Sequence, residues 1–377
     1  MLLNIITALV GGFVLGCVAC CKNALASRAL KREPNPQGRC SIAAVIATKN
    51  EEDVIENTIR TLLSGAPPSL RVIVVDKSND DTPAILERLS TEFGNLVLLQ
   101  HEGAPGKPAA LNIALEHVTE DVVLFLDADA RLSWESIAQY MRGFSHSGIQ
   151  AVFANFACYN TKRTLAVVLH DVYFSFAKAF VFSGLFSKPV FMASGFFVRR
   201  EVLDTVGRFD IETIVDDFDL YLRMGRAGLT ARFLHGPKCE IQYAFRMKEM
   251  LKQHCRWDTG VIRHLYEQIR RGRIQYTLVL GAIGLLVFFP YIILILAFAF
   301  HSPFFLSVAL PMSIAAAYGA ALCAYLYYDA HNVKEAAFNI VVGMFLVFVL
   351  LQVTIVISAV KAFRKRQDWY KTTRERA

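Results

Sequence analysis

Two aspartates one residue apart, Asp127-Ala128-Asp129, directly follow the apolar run Val122–Leu126. Carboxylates this close together at the end of a buried strand repel each other unless a cation sits with them. Mg2+ or Mn2+ held by one or two carboxylates plus substrate phosphates is the usual remedy. The bland alternative is a turn, where Asp is common. A second acidic cluster, Asp216-Asp217-Phe218-Asp219, opens the helical stretch Tyr221–Arg226. The helix macrodipole favours acids at that place, yet it hardly accounts for three within four residues. A general base needs a carboxylate held away from the metal but within reach of an acceptor hydroxyl. A third group, Gln253-His254-Cys255-Arg256-Trp257, lies in a basic segment from Arg246 to Arg273. On its own it reads as an interfacial amphipathic helix with tryptophan at headgroup depth.

These residues need a frame. Ser41–Ala47 (SIAAVIA), Arg71–Val75 (RVIVV), Leu96–Leu99 and Val122–Leu126 (VVLFL) are short apolar runs with the pattern of buried strands. Helical stretches alternate with them: Asn50 through Leu63, Thr82–Leu89 and Ala109–Leu115, the last entered from the loop Gly103–Pro108. Alternation of this kind predicts right-handed crossovers and a parallel sheet covered on both faces. Such sheets bind ligands beyond the carboxyl ends of their strands, and Asp76, Asp127 and Asp129 all fall at those ends. No G-x-G-x-x-G follows the first strand, and the Gly103–Pro108 loop lacks the residues of a P-loop.

The chain of 377 residues is 54% hydrophobic and 19% charged, with a mean hydropathy of +0.37. That is more apolar and less charged than a soluble average of about 45–50% and about 25%, and it excludes disorder. The apolar excess sits at the two ends. Residues 1–21, the 55 residues between Arg273 and Asp329, and Ala336–Val360 contain no Asp, Glu, Lys or Arg. A membrane crossing needs about 20 apolar residues. The pattern therefore predicts one span at the start, two within 274–328 with His301, Ser302 and Pro303 at the turn and a kink at Pro290, and a fourth over Ala336–Val360. The first segment reads as a retained anchor because it lacks the positive start of a signal peptide. Gly12 and Gly16 in it could form a helix-packing face.

Lys22, Arg28, Lys31 and Arg32 after that anchor place the middle of the chain in the cytoplasm. The basic tail from Lys361 also prefers the cytoplasm, against a simple count of three later crossings. The net charge of +7 fits basic flanks meeting anionic lipid, not nucleic acid. The eight cysteines match no zinc spacing, and no disulfide is expected in a reducing compartment. A transporter reading is disfavoured because carriers hide ionisable groups in their spans, and these stretches hold almost none.

Taken in order, the residues resemble a membrane-integrated family 2 glycosyltransferase with a GT-A domain, similar to the processive synthases of hyaluronan, chitin oligosaccharide and cellulose. The motifs that carry the resemblance are Asn50-Glu51-Glu52, Asp76, Gly106-Lys107-Pro108-Ala109-Ala110-Leu111-Asn112, Asp127-Ala128-Asp129, Ser194 to Leu203, Asp216-Asp217 and Gln253 to Trp257. The expected architecture is an anchor at 1–21, a cytosolic α/β GT-A (Rossmann-like) domain at 22–240, an amphipathic interface segment at 241–273, a transmembrane region of about three spans at 274–360, and a basic tail at 361–377. With the anchor this makes about four transmembrane helices in a multi-pass protein of the plasma membrane, or of the ER or Golgi in a eukaryote.

The resemblance implies roles position by position. Thr48, Glu51, Asp76 and Lys107 would form the uridine-nucleotide cleft. Asp127 would bind the nucleotide diphosphate, and Asp129 would coordinate Mg2+ or Mn2+ on it. Asp217 would be the catalytic base. Gln253, Arg256 and Trp257 would close the site, Arg256 as a bidentate fork for pyrophosphate and Trp257 as a flat face for a sugar ring. Ser194, Gly195 and Asp216, with Trp257, would line the acceptor side. Lys49 stands where the family often has an aromatic residue, Asp76-Lys77-Ser78 lacks the usual second Asp and Gly, and Asp216 replaces Glu. The implied reaction is inverting transfer from a UDP-sugar, UDP-GlcNAc or UDP-Glc, onto a growing polysaccharide or oligosaccharide. The alternative is transfer of one sugar to a membrane lipid, as in ceramide glucosyltransferases.

Overall fold

Runs rich in valine, isoleucine and alanine, too short for helices, become the inner strands of a seven-stranded sheet. The computed structural model describes residues 1–31, 40–101, 106–145, 148–182, 194–272, 299–300, 304–329 and 333–362. They fall into two units. One comprises the described residues within Leu25–Thr161 and Pro189–Ala244, and the other those within Met1–Ala24, Lys162–Lys188 and Phe245–Gln367.

The first unit holds the sheet. Its strands are β1 (Ile42–Thr48), β2 (Leu70–Asp76), β3 (Leu96–Gln100), β4 (Val122–Asp127), β5 (Ala151–Cys158), β6 (Phe196–Arg199) and β7 (Ala231–Ile241), in the spatial order β3-β2-β1-β4-β6-β5-β7. Helices α2 (Ile55–Leu63), α3 (Thr82–Glu92) and α4 (Lys107–Glu116) connect the first four strands. β1, β2 and β4 are buried almost throughout, as expected where both sheet faces are covered. Helices α5 (Trp134–Met141), α7 (Arg200–Val206) and α8 (Asp216–Arg226) complete this unit.

The register positions the chemistry. Thr48 pairs with Asp76 across β1 and β2, and Ala47 pairs with Asp127 across β1 and β4. Three strands thus end level, with Thr48, Asp76 and Asp127 on one rim. The chain moves outward from β1 through β2 to β3 and then returns to the other side of β1 as β4. This reversal of strand order is the place where open α/β sheets bind ligands.

The sheet is not wholly parallel. The pairs among β3, β2, β1 and β4 are parallel, as is β5 with β7, but β6 runs antiparallel to both β4 and β5. This corrects the expectation of a parallel sheet. β6 has only four residues, too few to show a period, and it is entered directly from the Ser194-Gly195 turn.

The second unit is helical. It contains most of α1 (Leu2–Lys31), then α6 (Leu165–Ala177), α9 (Met247–Arg270), α10 (Leu310–Tyr328) and α11 (Val333–Ala362). Among the described residues, four segments are long and apolar enough to cross a membrane: Leu2–Ala29, Leu165–Phe182, Leu306–Tyr328 and Lys334–Ala362. The first of the two spans expected within 274–328, the turn at 301–303 and the tail beyond 362 lie outside the described residues.

α1 and α10 meet along glycine. A Cβ on Gly12 would come within 1.9 Å of the Ala316 carbonyl oxygen, and one on Gly319 within 2.0 Å of the Leu9 carbonyl oxygen. Backbones this close admit no side chain, which is the packing expected of small residues in apolar helix pairs.

Leu165–Phe182 is a segment the uncharged stretches did not reveal. His170, Asp171 and Lys178 interrupt its apolar run, so a search for charge-free sequence passes over it. The structure pairs the two charged groups, Asp171 and Lys178, internally. Lys178 is fully buried and lies 3.3 Å from an Asp329 carboxylate oxygen. Ser175 Oγ donates to the same carboxylate, and Arg163 pairs with Asp171. Asn23 Nδ2 donates to Tyr328 Oη at 2.5 Å and to the Lys178 carbonyl at 3.3 Å, and Asn339 Nδ2 donates to Tyr325 Oη at 3.0 Å. Intramembrane charge is tolerated only with partners of this kind.

Candidate active site

Asp76 is fixed by donors on both of its oxygens. Thr48 Oγ1 and Ser78 Oγ each donate to Oδ1 at 2.6 Å, and the Ser78 N–H donates to Oδ2 at 3.2 Å. Ser78 Oγ in turn accepts the Asn50 N–H at 2.7 Å, which joins the loop after β1 to the loop after β2. Asn50 has φ +58°, a region Asn tolerates better than most residues. Its Oδ1 accepts the Asn79 N–H at 2.8 Å. Glu51 is buried, and its N–H donates to Thr82 Oγ1 at 2.8 Å.

At the end of β4 the charges converge. Lys107, the first residue of α4, places Nζ 2.6 Å from Asp127 Oδ1 and 3.6 Å from Asp216 Oδ2. Burial opposes the ammonium charge, but the Asp127 and Asp216 carboxylates outweigh it and hold the lysine above its ordinary value, protonated. Asp217 is shifted the same way, which for a carboxyl disfavours the charge. Burial and then the neighbouring Asp216 charge push its carboxyl up to about 7, against the pull of Lys107 and of the Phe218 N–H, which donates to Oδ1 at 2.8 Å. A carboxylate raised to this range is matched to proton transfer near neutrality.

The residues that follow β4 are equally held. Asp129 is buried, and its Oδ2 accepts the Gln242 N–H at 3.2 Å. Thr58 Oγ1 donates to the Ala128 carbonyl at 2.7 Å. Ser194 Oγ accepts the Asp127 N–H at 2.8 Å. Gly195 has φ +83°, and a Cβ there would lie 3.0 Å from Cys239 Sγ. Its N–H donates to the Phe125 carbonyl and its carbonyl accepts the Ala154 N–H, so this glycine links β4 to β5.

The structure therefore gathers Lys107, Asp127, Asp216 and Asp217 from three elements, with Thr48, Asp76 and Glu51 on the rim and loops of the adjoining strands. Ser194, Gly195 and Asp129 belong to the same β4 edge. Gln253, Arg256 and Trp257 lie in the other unit, on α9. There the Trp257 ring packs edge-on against His254 and Phe174, with centroids 5.0 and 6.1 Å away. Burial lowers the His254 imidazole to about 4, so it is neutral. Gln253 Oε1 is buried and accepts no hydrogen bond from the described residues.

Sequence reasoning assigned no role to several residues that hold this arrangement. Ser78 and Gln242 orient Asp76 and Asp129, and Arg223 pairs through Nε with Asp219 at 2.9 Å. Asn112 exchanges two hydrogen bonds with the Phe209 backbone. One signal was present: an asparagine inside a helical run is a poor helix former, which marks a position chosen for its amide.

Comparison with known proteins bears on the fold that carries these residues. Residues 43–207 match the family described as Glycosyl transferase family 2. The chain is 28% identical over 230 residues to the β-monoglucosyldiacylglycerol synthase of Trichormus variabilis, covering 58% of this chain and 48% of that protein. It is 22% identical over 262 residues to a poly-β-1,6-N-acetyl-D-glucosamine synthase of Staphylococcus aureus, covering 67% of this chain and 63% of that one. The chain thus spans about half the length of the first of these relatives. Among solved structures, the mannosyltransferase PcManGT of Pyrobaculum calidifontis, in complex with GDP-Man and Mn2+, superposes with a TM-score of 0.60 at 20% identity, covering 96% of this chain and 100% of that chain. That likeness is one of fold. The family match covers residues 43–207, less than half of the chain, and the mixed sheet has the GT-A fold.

Proposed function

We propose that the protein is a membrane-bound hexosyltransferase that moves a sugar from a UDP-sugar, UDP-Glc or UDP-GlcNAc, to an acceptor hydroxyl with inversion. The observation that carries this reading is the Lys107 bridge, which brings the end of β4 and the head of α8 to one place. In this reading the donor nucleotide lies over Thr48, Glu51 and Asp76, and its diphosphate lies at Lys107 and Asp127. Asp217 takes the proton from the acceptor hydroxyl as that oxygen bonds to the anomeric carbon and the bond from this carbon to the diphosphate oxygen breaks. UDP leaves, and Asp217 releases its proton to solvent. Ser194, Gly195 and Asp216 line the acceptor side.

The residues present fit a divalent cation. Asp127 and Asp129 supply hard oxygen donors within three residues. Among the described residues no group of three or more His, Cys, Asp or Glu stands together, so phosphate oxygens and water would complete the coordination of Mg2+ or Mn2+. Asp129 would hold the ion, which when bound neutralises charge on the departing diphosphate.

Two acceptors are supported by separate observations. The relative with the higher identity has a glucosylated diacylglycerol as its named product, which favours a membrane lipid. The poly-N-acetylglucosamine synthase matches a larger share of the chain, which favours a growing glycan. The four membrane-length helices suit either, and in both cases the GT-A domain faces the cytoplasm. The test is to incubate the detergent-purified full chain with a panel of UDP-sugars and Mn2+, with and without diacylglycerol, and to analyse products by mass. Sugar label extracted into organic solvent supports the lipid, and water-soluble polymer supports the glycan. Absence of UDP release under all conditions overturns the enzyme reading.

A further inference from the structure

The segment that leads into Asp216 and Asp217 is fastened to the two elements that carry their partners. Asn112 Nδ2 donates to the Phe209 carbonyl at 2.8 Å, and the Phe209 N–H donates to Asn112 Oδ1 at 2.9 Å. The buried Phe209 ring stands edge-on to Phe125, with centroids 5.0 Å apart and planes at 88°. Asn112 lies five residues after Lys107 on α4, and Phe125 two residues before Asp127 on β4. At the start of the segment, an Arg223 guanidinium nitrogen donates to the Val206 and Gly207 carbonyls at 2.7 and 2.8 Å. The loop is thus tied to α4 by its backbone, to β4 by a ring, and to α8 by Arg223.

An asparagine suits this place for a chemical reason. Its amide presents one acceptor and a pair of donors side by side, so it can face a backbone N–H and C=O together, as a neighbouring strand would. Alanine offers neither, and aspartate loses the donor. The loop needs such a tie because Asp216, Asp217 and Asp127 are like-charged groups that drive one another apart wherever the backbone is free to move.

We propose that Asn112, acting through Phe209, is a positioning residue that sets where Asp217 stands relative to Lys107 and Asp127, and so governs turnover and not donor binding. This rests on Asp217 being the catalytic base. The test uses the full-length chain with Asn112→Ala and Phe209→Leu. UDP affinity is measured by calorimetry, kcat and KM by product formation, and backbone exchange over residues 207–215 by mass spectrometry. The expected result for Asn112→Ala is a kcat at least tenfold lower, a UDP Kd changed less than threefold, and faster exchange at Phe209. Phe209→Leu keeps the backbone bonds and is expected to lower kcat twofold to fivefold with the same unchanged Kd, which keeps the proposal testable if Asn112→Ala fails to fold. Parental kcat in Asn112→Ala, or in Phe209→Leu if only that variant folds, overturns it. So does a loss of UDP affinity as large as the loss of kcat, because that marks a general structural role. Asp217→Asn assayed alongside separates the two readings, since its continued turnover would remove the base assignment itself.

Discussion

Lys107 and Asp127 form an ion pair, with Nζ 2.6 Å from Oδ1, although they arrive on different elements twenty residues apart. The lysine opens a helix and the aspartate ends a strand. The same ammonium reaches Asp216 at 3.6 Å. One cation therefore holds together two carboxylates that would otherwise repel, in the place proposed for a diphosphate. Lys107→Met is expected to lower kcat/KM by about 10²–10³, the range for removal of one positioned electrostatic donor. UDP calorimetry should show weaker binding as well. Unchanged UDP affinity would place the diphosphate elsewhere.

Asp217 gives a pH dependence whose sign can be worked out. Its carboxyl is pushed up to about 7 by burial and by Asp216, with Lys107 and Asp127 the other charged groups in the cluster. A base must be ionised to act, so kcat should fall tenfold per pH unit below about 7 and level off above it. The folded value lies above the ordinary value of about 3.9. Ionisation of Asp217 therefore costs stability as pH rises from the unfolded value through 7. Asp217→Asn should bind UDP, transfer no sugar, and melt no lower than the parent at pH 8. A lower melting temperature there, or retained transfer, would sink the assignment.

Much of the proposed donor half of this site was legible in the sequence, because its strands are continuous apolar runs ending at acids. Asp76 and Asp127 were readable as strand ends, whereas Thr48 came only with the family resemblance, and a parallel register makes strand ends coincide. Legibility ended where the chain stopped alternating. β6 is too short to show a period, and β7 carries Gly236 and Pro237 within it. Leu165–Phe182 was invisible for a different reason, since its charges interrupt the apolar run and the partner of Lys178, Asp329, lies far away in sequence. The tie between Asn112 and Phe209 spans 97 residues, a pairing that no local pattern encodes.

The metal expectation is direct. Asp129 is buried and holds one hydrogen bond from the Gln242 N–H, which orients its carboxylate. Chelation with EDTA should abolish UDP release, and added Mn2+ or Mg2+ should restore it. Asp129→Asn should require a higher metal concentration for half-maximal rate while its melting temperature without metal stays near the parent value. Full activity in EDTA would exclude the role given to Asp129.

Gly195 joins the Ser194 contact with Asp127 to the β5 edge, and its φ of +83° and the 3.0 Å approach to Cys239 Sγ leave little room for a side chain. Gly195→Ala is expected to cost about 1–2 kcal/mol from the left-handed backbone alone, with further loss from crowding. Cys239→Ala in the same chain should recover the crowding part and not the backbone part. Thermal melts of the single and double variants separate the two contributions, and equal stability of Gly195→Ala and the parent would show that the turn relaxes.

Lys178 and Asp329 allow a test of the helical unit. Both side chains are buried, at 0% and 5% exposure, and their charged atoms lie 3.3 Å apart. Removal of one member leaves an unpaired charge in an apolar bundle, which costs about 3–5 kcal/mol, whereas replacement of both by apolar groups of similar volume is often neutral or stabilising. Lys178→Met should therefore lower the melting temperature in detergent sharply, and Lys178→Met combined with Asp329→Leu should recover most of the loss. Ser175 Oγ also donates to Asp329, so the double variant leaves that hydroxyl to its second acceptor, the Asp171 carbonyl at 2.7 Å. If the double variant melts as low as Lys178→Met alone, the pair does more than cancel charge, and its geometry itself sets how these helices pack.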